Sequence, residues 1–384
     1  MSMLHIVGGL VFFYLLFRLI LPLPASCPVK IAAALALLLA TQQHVLARAF
    51  FGGLSSPELP RPVLIVQSLL LVSSLFLFLL VLLRDAAALL PRAARRIAGR
   101  SGERGGGGFS PGRRIFLGTC LAVIPAAYGI RGGITVPQVR ATQSSLPRLP
   151  AELDGLRIAH ISDLHIGPLL LQKWTEAVVD TVNGLEPDLI VVTGDIVDGL
   201  PSRRAESVAP LKKLRARHGV FACAGNHEYY SNFRAWMRAF SALDMDMLLN
   251  ERRVLNIGGR QLIMAGVTDI AAARFGLPLP DRDAALDGAP EDAVRILLAH
   301  RPSDAADNAA SGVDLQLSGH THGGQILGLR RIVAEFNEGY LYGWYQVQGM
   351  RLYVGSGAGL WNGFPVRLGV PSEIAHITLR CDGV

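Results

Sequence analysis

The sequence predicts an α/β domain preceded by an all-α membrane region, and three observations support this division. The 384 residues are 51% hydrophobic and only 17% charged, whereas ordinary soluble domains carry about 25% charged residues. The first 140 residues hold 14 Lys and Arg against 3 Asp and Glu, while the remainder holds 23 against 27. From about residue 156, strand-like runs alternate with helical ones, which is typical of an α/β layer structure. This composition excludes a disordered chain.

Residues 1–131 are interpreted as a membrane region of about four transmembrane helices. A spanning helix needs about 20 mostly apolar residues, and the apolar stretches lie at about 4–23, 31–47, 62–83 and 115–131. The third has no charged residue and is the strongest. A buried core helix is the alternative for each stretch.

A basic loop at 84–114 predicts how the chain faces the membrane. It contains eight arginines against Asp85 and Glu103, and Lys and Arg accumulate in cytoplasmic loops. The orientation that follows is a multi-pass protein of the bacterial inner (cytoplasmic) membrane, with everything after the fourth span on the extracytoplasmic side. The bilayer is therefore an expected partner. No nucleic-acid partner is expected, because aromatic residues do not alternate with the arginines, apart from the single Phe109.

Residues 110–118 also resemble a twin-arginine export signal, with the pair Arg113-Arg114 followed by Phe116-Leu117. Such signals are read by a receptor, so the twin-arginine export machinery is a further candidate partner. The alternative is an arginine pair that flanks a span by chance.

The Gly- and Pro-punctuated segment 132–150 predicts a linker, and residues 151–384 predict one α/β domain. The predicted strands lie at 156–161, 189–192, 220–224, 295–299, 315–317, 351–354 and 374–379, with a hairpin around 254–265 and helices at about 169–183, 206–217 and 233–243.

Polar residues that suit metal binding directly follow several of these strands. They are Asp163, His165, Asp195, Asn226, His227, His300, His320 and His322. Sites in open α/β sheets form at the carboxyl ends of strands, and imidazole and carboxylate groups bind divalent transition metals. Because the set exceeds one coordination sphere, it predicts two ions, the arrangement that many phosphoryl-transfer enzymes use.

The motifs Asp163-Leu-His165, Gly194-Asp195, Gly225-Asn-His-Glu228, Ala299-His300 and Gly319-His-Thr-His-Gly-Gly-Gln325, in this order, resemble the calcineurin-like metallophosphoesterase family. The resemblance covers the chain from Leu156 onward and is closest to a bacterial membrane-associated phosphodiesterase branch. It implies a two-sheet α/β sandwich flanked by helices and two divalent metal ions, with Mn, Zn and Fe as the possible metals.

The resemblance also implies a role for each residue. Asp163, His165 and His322 match the ligands of a first metal; Asn226, His300 and His320 match those of a second; Asp195 matches the bridging carboxylate. His227 matches the residue that protonates the leaving oxygen during in-line attack by a metal-bound hydroxide. The run Gly194 to Leu200 lacks the arginine of the Ser/Thr protein phosphatases, so protein phosphatase activity is not expected. Asp198 matches either a hydrogen-bonding partner of the site or a turn cap.

The preferred substrate is a lipid-linked or envelope phosphodiester, because an anchor would hold the site near the bilayer. A soluble nucleotide or generic phosphodiester is one alternative, and a non-catalytic membrane sensor or scaffold is another. The aromatic run 336–345 and Trp361 are interpreted as core and hairpin packing, with an apolar collar for a lipid as the other interpretation. Arg330, Arg331 and Arg367 are interpreted as solvated surface.

Overall fold

The computed structural model describes residues 3–50, 57–97, 111–361 and 363–381. The chain forms two compact units, Met1–Arg131 and Gly132–Val384. Residues 98–110 of the basic loop lie outside the described residues, as do the side chains of residues 111–116 in the twin-arginine motif.

The N-terminal unit is helical. Its helices are α1 (Met3–Leu15), continued by a π-helical turn at Leu16–Ile20, then α2 (Cys27–Phe50), α3 (Arg61–Ile97) and α4 (Pro111–Ile134). Val11 and Leu15 of α1 pack against Val81 of α3.

Two of these helices, rather than four, are long and apolar enough to cross a membrane within the described residues: Arg61–Leu89 and Leu117–Ile134. The prediction of about four spans is therefore wrong by length and composition. The first apolar helix, His5–Ile20, is too short. In α2, Gln42 and Gln43 lower the hydropathy, and their side-chain amides donate hydrogen bonds to the backbone of neighbouring helices, at His5 and Gln67.

The C-terminal unit contains two mixed six-stranded sheets. The strands are β1 (Gln138–Leu146), β2 (Arg157–Ile161), β3 (Leu189–Thr193), β4 (Val220–Cys223), β5 (Asp246–Met247), β6 (Glu251–Ile257), β7 (Arg260–Gly266), β8 (Val294–Leu298), β9 (Leu315–Ser318), β10 (Gly343–Val347), β11 (Met350–Val354) and β12 (Glu373–Cys381). The first sheet has the order β1-β12-β2-β3-β4-β5 and the second β10-β11-β9-β8-β7-β6.

Helices flank the two sheets, which confirms the α/β sandwich part of the predicted fold class. They are α5 (Gln172–Asn183), α6 (Pro201–Val208), α7 (Asn226–Tyr230), α8 (Phe233–Ala242), α9 (Arg282–Leu286), α10 (Ala305–Ala310) and α11 (Arg330–Glu335). The predicted hairpin is the pair β6–β7, whose turn residues Gly258 and Gly259 have φ of 59° and 82°. Glycine adopts these positive angles without steric cost.

The main hydrophobic core joins residues of both sheets. Ile158 and Val191 of the first sheet belong to the same buried cluster as Met264, Ile296 and Tyr353 of the second. Burying one such side chain stabilises the fold by about 1.5–3 kcal/mol. The packed core thus holds the strand ends of both sheets in place.

The segment 132–150 differs from the predicted linker, because it contains β1. This strand pairs in parallel with β12 from Gln138↔Glu373 to Leu146↔Cys381. Its sequence is polar and shows no apolar alternation, and its pairing depends on the backbone. A polar contact also links it to the second sheet, where Trp344 of β10 donates its Nε1–H to Thr142 Oγ1 at 2.8 Å. An edge strand with so little apolar character carries no signal for a pattern-based prediction.

Candidate metal centre

The polar residues singled out in the sequence all follow strands at one end of the sandwich. Asp163 and His165 follow β2, Asp195 follows β3, and Asn226 and His227 follow β4, whereas His300 follows β8 and the pair His320 and His322 follows β9. All are buried except His320, which is half-buried. The strands β2, β3 and β4 belong to one sheet and β8 and β9 to the other.

These residues form three groups whose potential ligand atoms lie within 4.8 Å of one another. The groups are Asp163, His165 and His322; His165, Asp195 and His227; and Asp195, His300 and His320. Asp195 belongs to two groups, with its Oδ2 at 3.3 Å from His300 Nε2, 3.8 Å from His165 Nε2 and 3.9 Å from His227 Nε2. One carboxylate therefore connects the donors of both sheets.

Five of the site residues have left-handed backbone conformations. Asp163, His165, Asp195, His320 and His322 have φ between 45° and 69°. This left-handed region is uncommon for residues other than glycine, although Asp and His are enriched there. Left-handed residues that cluster in this way typically occur at functional sites.

Two glycines leave room for the carboxylates. A Cβ added at Gly225 would collide with the Asp195 carboxylate, and one at Gly319 would collide with that of Asp163. The glycines of the motifs therefore permit close approach of the backbone.

The site fits the calcineurin-like motifs in the sequence, and comparison with known proteins agrees. Residues 156–324 match the calcineurin-like phosphoesterase family. A Helicobacter pylori (strain J99) protein named as an uncharacterized metallophosphoesterase is 36% identical over 280 residues, covering 71% of this chain and 73% of the relative. The chain belongs to the metallophosphoesterase family. A Bos taurus protein named "Transmembrane protein with metallophosphoesterase domain" is 34% identical over 310 residues, covering 76% of this chain and 68% of that protein.

The donors of this metallophosphoesterase site suit divalent metals. Two pairs of imidazole nitrogens face each other, with His165 Nε2 at 3.1 Å from His322 Nε2 and His320 Nδ1 at 3.2 Å from His300 Nε2. Imidazole nitrogens together with carboxylate oxygens are the usual ligands of Zn, Mn and Fe in proteins. The residues present therefore fit metal ions of this class.

Asp198 contacts His227 directly, so of its two predicted roles the structure supports that of a hydrogen-bonding partner of the site. The Asp198 Oδ1 atom lies 2.5 Å from His227 Nδ1, and Asp198 Oδ2 lies 3.3 Å from His165 Nδ1. Burial alone would lower the pKa of His227, but the Asp195 and Asp198 carboxylates outweigh it and raise the pKa to about 9. The imidazolium form is thus favoured at neutral pH.

Glu228 is a buried residue of the site to which the sequence reasoning gave no role. Its carboxylate accepts hydrogen bonds from the backbone N–H groups of Asp195, Ile196, Val197 and Gly225, at 2.7–3.2 Å. It therefore holds the β3 and β4 turns together and anchors the backbone of Asp195. The Glu within the Gly225–Glu228 motif is the only sequence signal for this role.

Arg301 is a second residue that sequence reasoning missed. Its Nε–H donates to Asp269 Oδ2 at 2.8 Å and its Nη2–H donates to Asn226 Oδ1 at 3.1 Å, while Nη1 lies 2.8 Å from His320 Nε2. Because Asp269 is almost fully buried, it holds the guanidinium against two of the predicted ligands.

Arg367 is buried rather than solvated, so its assignment to the surface is wrong. It is 3% exposed, donates to the carbonyls of Ser356, Gly357 and Gly359, and places Nη2 at 3.0 Å from His322 Nδ1. Burial lowers its pKa to about 10. These carbonyls offset the desolvation of the guanidinium. Arg331, in contrast, is exposed as expected.

The aromatic run 336–345 divides between packing and exposure. Tyr340 and Tyr345 make an edge-to-face contact with centroids 5.1 Å apart, as the packing interpretation predicts. Phe336 is 85% exposed and does not fit that interpretation. Trp361 lies near the site, with its ring centroid 6.0 Å from that of His227.

Proposed function

We propose that this protein is a membrane-anchored phosphodiesterase that uses two divalent metal ions. The observation that carries the proposal is the Asp195 carboxylate, which belongs to candidate ligand groups on both sides. In the proposed assignment Asp163, His165 and His322 would hold one ion, Asn226, His300 and His320 would hold the other, and Asp195 would be the ligand that both ions share. When bound, the ions would supply Lewis-acid stabilisation of the phosphoryl charge and a nucleophile at neutral pH.

The chain's own residues supply the proton for the departing alcohol. Asp198 accepts the Nδ1–H of His227, and the Asp195 and Asp198 carboxylates favour the imidazolium, which carries a second proton on Nε2, the nitrogen that faces Asp195. An alkyl alcohol is a poor leaving group unless it is protonated as it departs, which is general acid catalysis. The raised pKa of His227 keeps this proton available at neutral pH.

The membrane part of the proposal places the catalytic unit on the extracytoplasmic side of a bacterial inner membrane. Seven of the eight arginines of segment 84–114 lie between the candidate spans Arg61–Leu89 and Leu117–Ile134, and arginines favour the cytoplasmic side. In these two helices only 22% and 28% of the most apolar window is buried. A reporter fused after Val384 is expected to be active outside the cytoplasm; activity restricted to the cytoplasm would reverse this orientation.

The metal chemistry is tested with the full chain in detergent, stripped of metal and reloaded separately with Mn, Zn and Fe. Hydrolysis of bis(p-nitrophenyl) phosphate and elemental analysis are measured together. Asp195→Asn is expected to lower both bound metal and turnover, the latter by more than about 100-fold, since it removes the shared anionic ligand. The exposed Asp244→Asn is the matched control. Full turnover in metal-free protein would refute the proposal.

A further inference from the structure

A cavity of about 330 Å³ adjoins the candidate metal centre. Its wall includes His300, a predicted metal ligand, and Arg301, which contacts two more. At about 30 Å³ per water molecule, the volume corresponds to roughly ten waters. This is room for a glyceryl group or a single sugar ring, directly beside the position that the phosphoryl group would occupy.

Arg301 stands where the cavity meets the metal centre, and its orientation is fixed. The buried Asp269 accepts its Nε–H at 2.8 Å, so the two terminal nitrogens point toward the predicted ligands. A guanidinium has five N–H groups, and contacts with described residues account for three of them. The others can bind a phosphoryl oxygen, a geometry in which Arg is stronger and more specific than Lys.

The rest of the cavity wall combines apolar side chains with polar ones of both charges. Val267, Ile270, Pro280 and Ala299 contribute the apolar part. Ser303 and Asn308 offer a hydroxyl and an amide, Asp304 and Glu338 offer carboxylates, and Arg282 offers a guanidinium. An alkyl chain would remove these groups from water without replacing their hydrogen bonds, which is unfavourable. No Phe, Tyr or Trp is among the described residues of the wall, so a nucleobase would find no stacking partner there. Hydroxyl groups, which both donate and accept, match this wall.

We infer that this cavity binds a small polyhydroxyl group, a glyceryl or sugar unit, esterified to the phosphate that Arg301 holds. The inference rests on the proposed phosphodiesterase function and specifies its substrate class. For a lipid phosphodiester, the cavity would take the polar head and leave the acyl chains outside.

The test compares two esters that share one leaving group, glyceryl p-nitrophenyl phosphate and methyl p-nitrophenyl phosphate, on the metal-loaded full chain. Wild type is expected to prefer the glyceryl ester in kcat/KM by about 10-fold or more, because unmatched polar groups in a binding site discriminate strongly. Ser303→Trp, which narrows the cavity, should bring the ratio of kcat/KM for the glyceryl and methyl esters to about 1. Ser303→Leu should give a partial loss. The exposed Ser241→Trp on α8 is the matched control.

A second measurement separates this inference from the proposed function. Isothermal titration calorimetry compares binding of glycerol 1-phosphate and methyl phosphate to wild type and Ser303→Trp. Arg301→Gln should weaken both ligands without changing their ratio, and the binding constants are compared per bound metal, which elemental analysis measures in the same preparation. Equal binding of the two ligands by wild type, or a preference that survives Ser303→Trp in a variant with an unchanged melting temperature, would overturn the cavity assignment. Absence of turnover with both esters would instead count against the phosphodiesterase proposal, and the calorimetric ratio would still decide the cavity.

Discussion

Replacing Asp198 by Asn tests whether His227 acts as a general acid, because the two side chains form a buried pair. Asp198 Oδ1 lies 2.5 Å from His227 Nδ1, and both residues are at most 8% exposed. The Asn side chain keeps the size of Asp but removes one of the two negative charges, those of Asp195 and Asp198, that favour the imidazolium. The pKa of His227 should then fall from about 9 toward its ordinary value of 6.5.

The size of the effect follows from the protonated fraction of His227. At pH 8 that fraction is about 90% for a pKa of 9 and about 3% for a pKa of 6.5, so turnover should fall by up to about 30-fold. At pH 6 both forms are mostly protonated, and the loss should be less than about twofold. A raised pKa gives activity that is present at low pH and lost as the pH rises through the pKa. The variant therefore moves the alkaline limb of the profile to lower pH.

The assay is a pH–rate profile with an alkyl phosphodiester, with bis(p-nitrophenyl) phosphate as the comparison substrate. Because p-nitrophenolate departs without a proton, its release should respond far less to Asp198→Asn. Elemental analysis must show unchanged metal, since Asp198 also approaches His165 at 3.3 Å, and the exposed Asp180→Asn is the control substitution. An equal loss at pH 6 and pH 8, or an equal loss with both leaving groups, would refute the general acid role of His227.

Two further predictions concern stability, measured as the melting temperature of the full chain. Glu228→Gln should lower the free energy of unfolding by about 2–6 kcal/mol, because the amide NH₂ would face two backbone N–H groups whose hydrogen bonds the carboxylate now accepts. A melting temperature equal to that of the exposed Glu206→Gln control would contradict the anchoring role. Thr142→Pro should destabilise the C-terminal unit much more than Gln143→Pro, since Gln138 N–H donates to the carbonyl of Ser372, directly before β12, and every second N–H along β1 points the same way. Equal and small effects of the two prolines would mean that the segment behaves as a linker.

The position of the site could be predicted from the sequence because it depends on local patterns. Each predicted ligand follows a short apolar run, and the carboxyl ends of parallel strands lie at the same edge of a sheet. Asp163 and Asp195, for example, are brought together by the pairing of β2 with β3. The two-sheet arrangement was implied by family resemblance and not by the alternation of strands and helices, which is compatible with other α/β folds.

The residues that sequence reasoning missed act through partners far away in the chain. Arg301 contacts Asn226, which is 75 positions earlier, and Arg367 contacts His322, which is 45 positions earlier. An arginine next to a strand or loop has no periodic signature that distinguishes a buried ion pair from a solvated surface position. The strand β1 was not predicted because its sequence is polar. Its pairing with β12 depends on backbone hydrogen bonds, which do not require apolar side chains.

The backbone strain at the candidate metal ligands is the free-energy cost of fixing their side chains in position before a metal or phosphate binds. A residue in a sparsely populated backbone region costs about 1–3 kcal/mol, and Asp163, Asp195 and His322 are among several such residues here. The core between the two sheets and the four hydrogen bonds accepted by Glu228 offset this cost. Because folding has already ordered these side chains, a ligand does not lose binding free energy in ordering them. The features that weaken the fold at this edge are therefore the same ones that would strengthen metal and phosphate binding.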